Sequence, residues 1–298
     1  MAHPVHQANE NSPFGNLTRE EFYKKHHVLH QEGFMLNSQN MKIFTQSWCP
    51  DSTLQPKGLV AMVHGYTSES SWLFGLTAVA IAKAGFFVYA LDLQGHGYSE
   101  GLPGNIPDIQ PIVCDCIQYF DSARANHPKL PAFLYGDSAK FKPVWPLEKL
   151  LPVAAFFAPN WRIVISKPLA SKSYKEEWKR KLVAKSPNRH ASGKPPAATA
   201  LEFLRVCDYI SRHCHELEVP MLVVHGEDDM VCASDSARTV YELAASKDKT
   251  LNIFPGMWHQ LIGEPKEGVE LVFGTILSWI GSRAEKAKAN TNRLYVEQ

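Results

Sequence analysis

Gly58-Leu59-Val60-Ala61-Met62-Val63-His64-Gly65-Tyr66 opens on an unbroken apolar run and ends abruptly in a polar turn. A run this short, apolar at consecutive positions, suits a strand buried on both faces. The pattern recurs at residues 86–91, 132–135, 221–224 and 250–254. Between these runs lie stretches with helical periodicity. Residues 71–84 place Trp72, Leu73, Leu76, Val79, Ala80 and Ala84 on one face, with Gly85 as a stop. Residues 109–126, 197–215 and 269–287 read the same way. Upstream, residues 28–36 and 42–48 alternate and are joined by Asn37-Ser38-Gln39-Asn40, which is hairpin chemistry. The expected fold class is α/β: a mostly parallel sheet, opened by an antiparallel pair and flanked by helices.

Residues 140–196 differ from their surroundings. They are dense in Pro, Lys and Trp and lack the alternation, apart from an apolar helix candidate at 147–158. This predicts a cap inserted over the sheet. The expected organisation is a flexible lead-in at 1–25, a first core part at 26–138, the cap at 139–196, a second core part at 197–282, and a charged, frayed tail at 283–298. Residues 162–166 imitate a strand, but Pro159 and Pro168 bracket them and argue against one. The lysine-rich stretch 172–185 reads as a solvated helix face.

Composition narrows the function. The 298 residues carry a formal net charge of +1, with basic and acidic residues interspersed, so no basic field for nucleic acid exists. Six cysteines, Cys49, Cys114, Cys116, Cys207, Cys214 and Cys232, lack metal-binding spacing and read as thiols in a reducing compartment. The first twenty residues hold no charged-then-apolar leader, so a cytoplasmic location is expected, and Asn16-Leu17-Thr18 then carries no glycan. No apolar run approaches the roughly 20 residues of a membrane span. Neither metal-spaced clusters nor a Gly-x-Gly-x-x-Gly loop occurs, so no metal or cofactor is expected.

Ligand sites in open α/β sheets lie beyond the carboxyl ends of the strands, and the polar residues collect there. His64-Gly65-Tyr66 follows the first buried run, Asp92 to Ser99 the second, Gly136-Asp137-Ser138 the third, His225-Gly226-Glu227-Asp228-Asp229 the fourth, and Pro255-Gly256-Met257-Trp258-His259 the last. A serine, an acid and a histidine thus occur in the order Ser, Asp, His. A serine hydroxyl needs an imidazole to accept its proton, and the imidazole needs a carboxylate to fix its tautomer. Ser138, His259 and either Asp228 or Asp229 can fill those roles. An oxyanion formed on attack needs fixed N–H donors, which the Tyr66 and Ala139 backbones can supply. His96, in a Gly-His-Gly turn, reads as a structural tie between loops, and His225 as a packed strand residue.

The residues His64-Gly65-Tyr66-Thr67, Asp92 to Gly101, His225 to Asp229 and Pro255 to His259 resemble the plant monoacylglycerol lipase family of α/β-hydrolases, whose relatives include caffeoylshikimate esterases. The similarity extends over residues 28–280. It implies a serine carboxylic-ester hydrolase with Asp229 as the acid. The implied substrate is a small apolar ester, a monoacylglycerol or alternatively a caffeoylshikimate. Separately, the apolar stripe of the cap helix, Leu150, Leu151, Val153, Ala154, Phe156 and Phe157, reads either as core or as a lining for an acyl chain or a peripheral contact with a membrane. The chain departs from that pattern at one place. Gly-x-Ser-x-Gly and a long helix are expected, whereas the sequence is Gly136-Asp137-Ser138-Ala139-Lys140-Phe141-Lys142-Pro143. Lys140 replaces the second glycine, and a helix–strand unit is missing. Ser138 is then either the nucleophile or the first serine of the cap, and the chain either an enzyme or a shortened, non-catalytic relative. The sheet must pair residues 131–135 directly with 221–224 or keep an internal gap.

Overall fold

Asn37 sets the first register. Its side-chain oxygen accepts the Gln39 and Met41 N–H groups at 3.0 and 2.9 Å, while Asn40 takes a left-handed φ of 58°, which Asn tolerates. The turn joins β1 (Val28–Leu36) to β2 (Lys42–Pro50) as an antiparallel pair running from Val28↔Pro50 to Leu36↔Lys42. The computed structural model describes residues 2–51, 55–137, 147–160, 162, 170–188 and 195–296. β3 (Leu59–Val63), β4 (Phe87–Leu91) and β5 (Ala132–Gly136) complete a five-stranded sheet in the order β1-β2-β4-β3-β5. β3 is parallel to both β4 and β5. Helices pack against it. α1 (Arg19–Lys25) precedes the sheet, α2 (Leu73–Lys83) is buried almost all round, and α3 (Gln110–Asn126) buries Ile112 and Ala123. Gly85, at φ 97°, ends the α2 segment in a conformation that other residues rarely adopt.

The sheet is interrupted. β6 (Met221–Gly226) and β7 (Lys249–Phe254) pair in parallel with each other and, among the described residues, with no strand of the larger sheet. The single sheet expected from the apolar runs is therefore two, and of the two outcomes forced by the missing unit the gap is realised. Burial records the same loss. β5 is also mainly apolar, yet Ala132, Leu134 and Gly136 are exposed, Leu134 by 74%. β3 is buried at four of its five positions. A cavity of about 1570 Å³ lies between the halves, lined by Phe133, Tyr135, Leu222, Val224, Ile210 and Ile276 among others.

Both chain ends differ from expectation. Residues 1–25 were expected to be a flexible lead-in, but Val5 and Phe22 are fully buried in the main core beside Trp48, and α1 starts on a reciprocal Thr18/Glu21 capping box. The apolar residues spaced through that polar stretch are what anchor it. At the other end α9 (Lys266–Val296) runs through the expected frayed tail. Arg283 pairs with Asp248 and stacks 3.9 Å over Trp279, Ala284 is buried, and Lys288 donates to the Pro56 carbonyl at 2.9 Å.

The intervening segment carries α4 (Leu147–Phe157), α5 (Ala170–Ser173), α6 (Glu177–Ala184) and α7 (Ala197–His213). Arg162 forms an isolated bridge with Pro196, and residues 163–169 of the strand-like stretch lie outside the described residues. α4 buries Leu151 against Ala200 but leaves Phe156 and Phe157 exposed by 80% and 79%. Lys179, expected on a solvated face, is 1% exposed. α8 (Ser234–Leu243) packs against β6 and β7 and was not anticipated, because its charged and polar residues outnumber a short apolar face.

Candidate active site

The turn after β6 settles which aspartate faces the histidine. Asp228 is exposed, whereas the Asp229 side chain is 1% exposed and its Oδ2 lies 2.7 Å from His259 Nδ1. Asp229 Oδ1 accepts the Val231 and Cys232 N–H groups at 2.7 and 2.8 Å, so the carboxylate is fixed by its own turn before it meets the ring. His225, at the end of β6, donates from Nε2 to the Cys232 carbonyl at 3.0 Å and lies 3.2 Å from Asp229 Oδ2. The sequence reading of His225 as a packed strand residue missed this contact, which arises because the turn after β6 folds Asp229 back onto the strand end. Gly226 lets the two loops meet: a Cβ there would sit 2.4 Å from both the Met257 and Trp258 carbonyl oxygens.

His259 is held from the cap side. Glu264 Oε1 accepts the Trp258 N–H at 2.6 Å, Gln260 N–H donates to the Ser173 carbonyl at 2.8 Å, and Lys175 Nζ reaches the Gly256 carbonyl at 2.7 Å. Buried Lys179 donates to the Ile262 and Glu264 carbonyls at 2.8 and 2.5 Å. Burial pushes its ammonium down to about 8, and it is accommodated because two carbonyl dipoles face it. No sequence motif marks Lys179, since its role depends on a loop 83 residues away.

The electrostatics of the pair follow from this enclosure. Burial alone would lower the His259 pKa, but hydrogen bonds to Asp229 and Cys232 outweigh it and push the ring up to about 10. Burial acts to raise Asp229, and hydrogen bonds from His225 and His259 reverse this, holding the carboxylate below its ordinary range. Asp229, Cys232 and His259 also have possible ligand atoms within 4.8 Å of one another. With both Asp229 oxygens engaged by N–H donors, the cluster is organised as a hydrogen-bonded relay.

On the other side of the site, Val63 ends β3 and His64 donates from Nδ1 to the Gly65 carbonyl at 2.9 Å while Nε2 accepts the Leu93 N–H at 3.0 Å. Full burial lowers its pKa to about 4, so it stays neutral and fixes the turn. Tyr66 follows; its hydroxyl donates to the Gly104 carbonyl at 2.8 Å, and among the described residues no acceptor takes its backbone N–H. Asp92 anchors neighbouring loops through the Ser70 and Tyr98 N–H groups, and His96 is buried with Nδ1 on the Gln94 carbonyl. Ser138 and Ala139 lie outside the described residues. Asp137, the residue before Ser138, donates its N–H to the Val63 carbonyl and accepts from Gln260 Nε2 at 3.3 Å, so the end of β5 is tied to the residue after His259.

Comparison with known proteins gives the family of the chain and the place where its match breaks. The chain is 32% identical to the caffeoylshikimate esterase of Arabidopsis thaliana over 93% of each chain, and 26% identical to the human monoglyceride lipase over 85% of this chain and 91% of that one. The fold matches that of a soluble variant of the monoglyceride lipase from Saccharomyces cerevisiae, with a TM-score of 0.72 at 16% identity, covering 83% of this chain and 94% of that one. The family described as serine aminopeptidase, S33, matches residues 54–139 and 139–266 in two pieces that meet at residue 139, where the sequence departs from the expected Gly-x-Ser-x-Gly pattern. Most of the chain lies within that match, on either side of a single break, and the chain belongs to this family of α/β-hydrolases.

Proposed function

We propose that the chain is built for serine-dependent hydrolysis of a carboxylic ester, with a monoacylglycerol as substrate class and a caffeoylshikimate-type aromatic ester as the alternative. The observation that carries this is the buried 2.7 Å contact between Asp229 Oδ2 and His259 Nδ1, which in the neutral ring leaves Nε2 as the proton-accepting nitrogen; because the same contact pushes the ring up to about 10, the neutral form and turnover should both grow as pH rises toward that value. In this reading Ser138 Oγ attacks the ester carbonyl carbon and His259 Nε2 takes the hydroxyl proton. The Tyr66 and Ala139 N–H groups hold the oxyanion, and His259 returns the proton to the departing alcohol. Water then releases the acid from Ser138 by the same steps in reverse. Asp229 keeps its charge throughout and stabilises the imidazolium. Exposed Phe156 and Phe157 suit peripheral contact with a lipid surface. No helix among the described residues is long and apolar enough to cross a membrane.

A second reading, a shortened non-catalytic relative, is favoured by the break at residue 139 and by the gap in the sheet. A fluorophosphonate probe reacts only with an activated serine and separates the two. Labelling that maps to Ser138 and is lost in Ser138→Ala, together with monoacylglycerol turnover lost in the same variant, supports the enzyme. An unlabelled, folded chain supports the second reading.

A further inference from the structure

We infer that the gap between β5 and β6 is an acceptor for a β-strand donated in trans by another polypeptide, a helix–strand segment of the kind this chain lacks at residue 139. Four observations carry this, and none depends on catalytic activity. β5 pairs only with β3 and β6 only with β7 among the described residues, so each strand presents an open backbone edge. All five β5 residues and Met221 to His225 of β6 line the same cavity, whereas no β7 residue does, so the two open edges border one space. The strands run the same way: Asp137 beyond the end of β5 bonds Gln260, and Gly226 at the end of β6 closes on Met257 and Trp258 of that same loop. A strand entering parallel to both would find complementary N–H and C=O groups on either side.

The length also fits. The alignment to the Arabidopsis esterase runs over 313 positions, although 93% of this 298-residue chain is only about 277 residues, so about 36 positions along it have no counterpart here, and residue 139 is where the family match breaks. That is the size of one helix with its strand and connections. The chain's own sequence after Ser138, Ala139-Lys140-Phe141-Lys142-Pro143-Val144-Trp145-Pro146, is a poor occupant, because two prolines three residues apart remove ladder donors. A lipid could fill the apolar volume but offers nothing to the backbone edges, each unpaired group of which costs about 1–3 kcal/mol when buried. A strand answers both needs.

The test is addition in trans, to the full chain, of a synthetic peptide comprising the Arabidopsis esterase residues that lack a counterpart at position 139. Hydrogen exchange of the β5 and β6 amides should slow at least tenfold, with a rise of several degrees in Tm. The same peptide with prolines at alternate strand positions should do neither. Oleate is the control for simple cavity filling. The inference is overturned if the peptide leaves β5 and β6 exchange unchanged, if the proline peptide protects as well, or if oleate gives the same amide protection.

Discussion

Replacing Asp229 with Asn tests the electrostatic core of the site with almost no change in shape. The Asn oxygen can still accept the Val231 and Cys232 N–H groups, so the turn is kept while the charge facing His259 disappears. In the intact pair the His259 pKa rises from 6.5 to about 10, which corresponds to about 5 kcal/mol favouring the imidazolium in the folded state. A raised folded-state pKa contributes stability that is fully present below 6.5 and is lost as pH climbs through about 10. The depressed Asp229 carboxylate sets the acid limit: its share is present above 3.8 and lost as pH falls below it. The pair therefore contributes most between about pH 4 and 6.5. The assay is NMR titration of the His259 ring alongside urea unfolding at several pH values. The intact chain should titrate His259 well above 6.5 and lose stability from pH 7 to 10. Asp229→Asn should bring the ring to 6.5 or below and flatten that alkaline limb. A wild-type ring titrating near 6.5, or one indifferent to Asp229→Asn, refutes the reasoning.

Three further outcomes are expected. Gly226→Ala, which drives a Cβ to 2.4 Å from two carbonyl oxygens, should cost at least about 2 kcal/mol in urea unfolding and lower the His259 pKa by separating the loops. Lys179→Met keeps the volume but strands the Ile262 and Glu264 carbonyls, so Tm should fall by an amount equivalent to about 2–6 kcal/mol. Inserting the Arabidopsis helix–strand residues in cis at position 139 should raise Tm and sharpen the melt; an unchanged, already cooperative melt would refute the view that the gap weakens this fold.

Much of the layout was legible because it is local. Each apolar run became a strand within a residue or two, the Asn37 to Asn40 turn gave the hairpin register, and the polar turns after β3, β6 and β7 carry Tyr66, Asp229 and His259. Asp228 and Asp229 were indistinguishable by residue type; only the direction of the turn, set by Oδ1 on two N–H groups, separates them. What escaped depends on distant partners. Lys179 looks like its solvated neighbours in sequence until two carbonyls of the His259 loop meet it, and Val5 is a lone apolar residue until the main core closes over it. Ser138 differs, because its neighbours contradict the pattern that would give it a role.

The break at residue 139 divides the site along a line that explains why half of it survives. Asp229, His225 and His259 depend on the end of β6, the loop after β7 and the clamp from Ser173, Lys175 and Lys179, all of which lie beyond the break and bond one another. Tyr66 depends on β3, which is buried between α2, α3 and its neighbours before the break is reached. Each half keeps its internal contacts, and what is lost is the material between them: the cover on β5 and the strand that would join β5 to β6. The Asp137–Gln260 hydrogen bond spans the two halves at the end of β5. Apart from that one hydrogen bond the acid–histidine pair is held by elements beyond the break, so on the proposed mechanism damage at β5 would act on catalysis through the presentation of Ser138 and on stability through the open edges. The two effects are separable in measurement: the His259 titration should be normal for the pair even in a chain whose serine takes no probe.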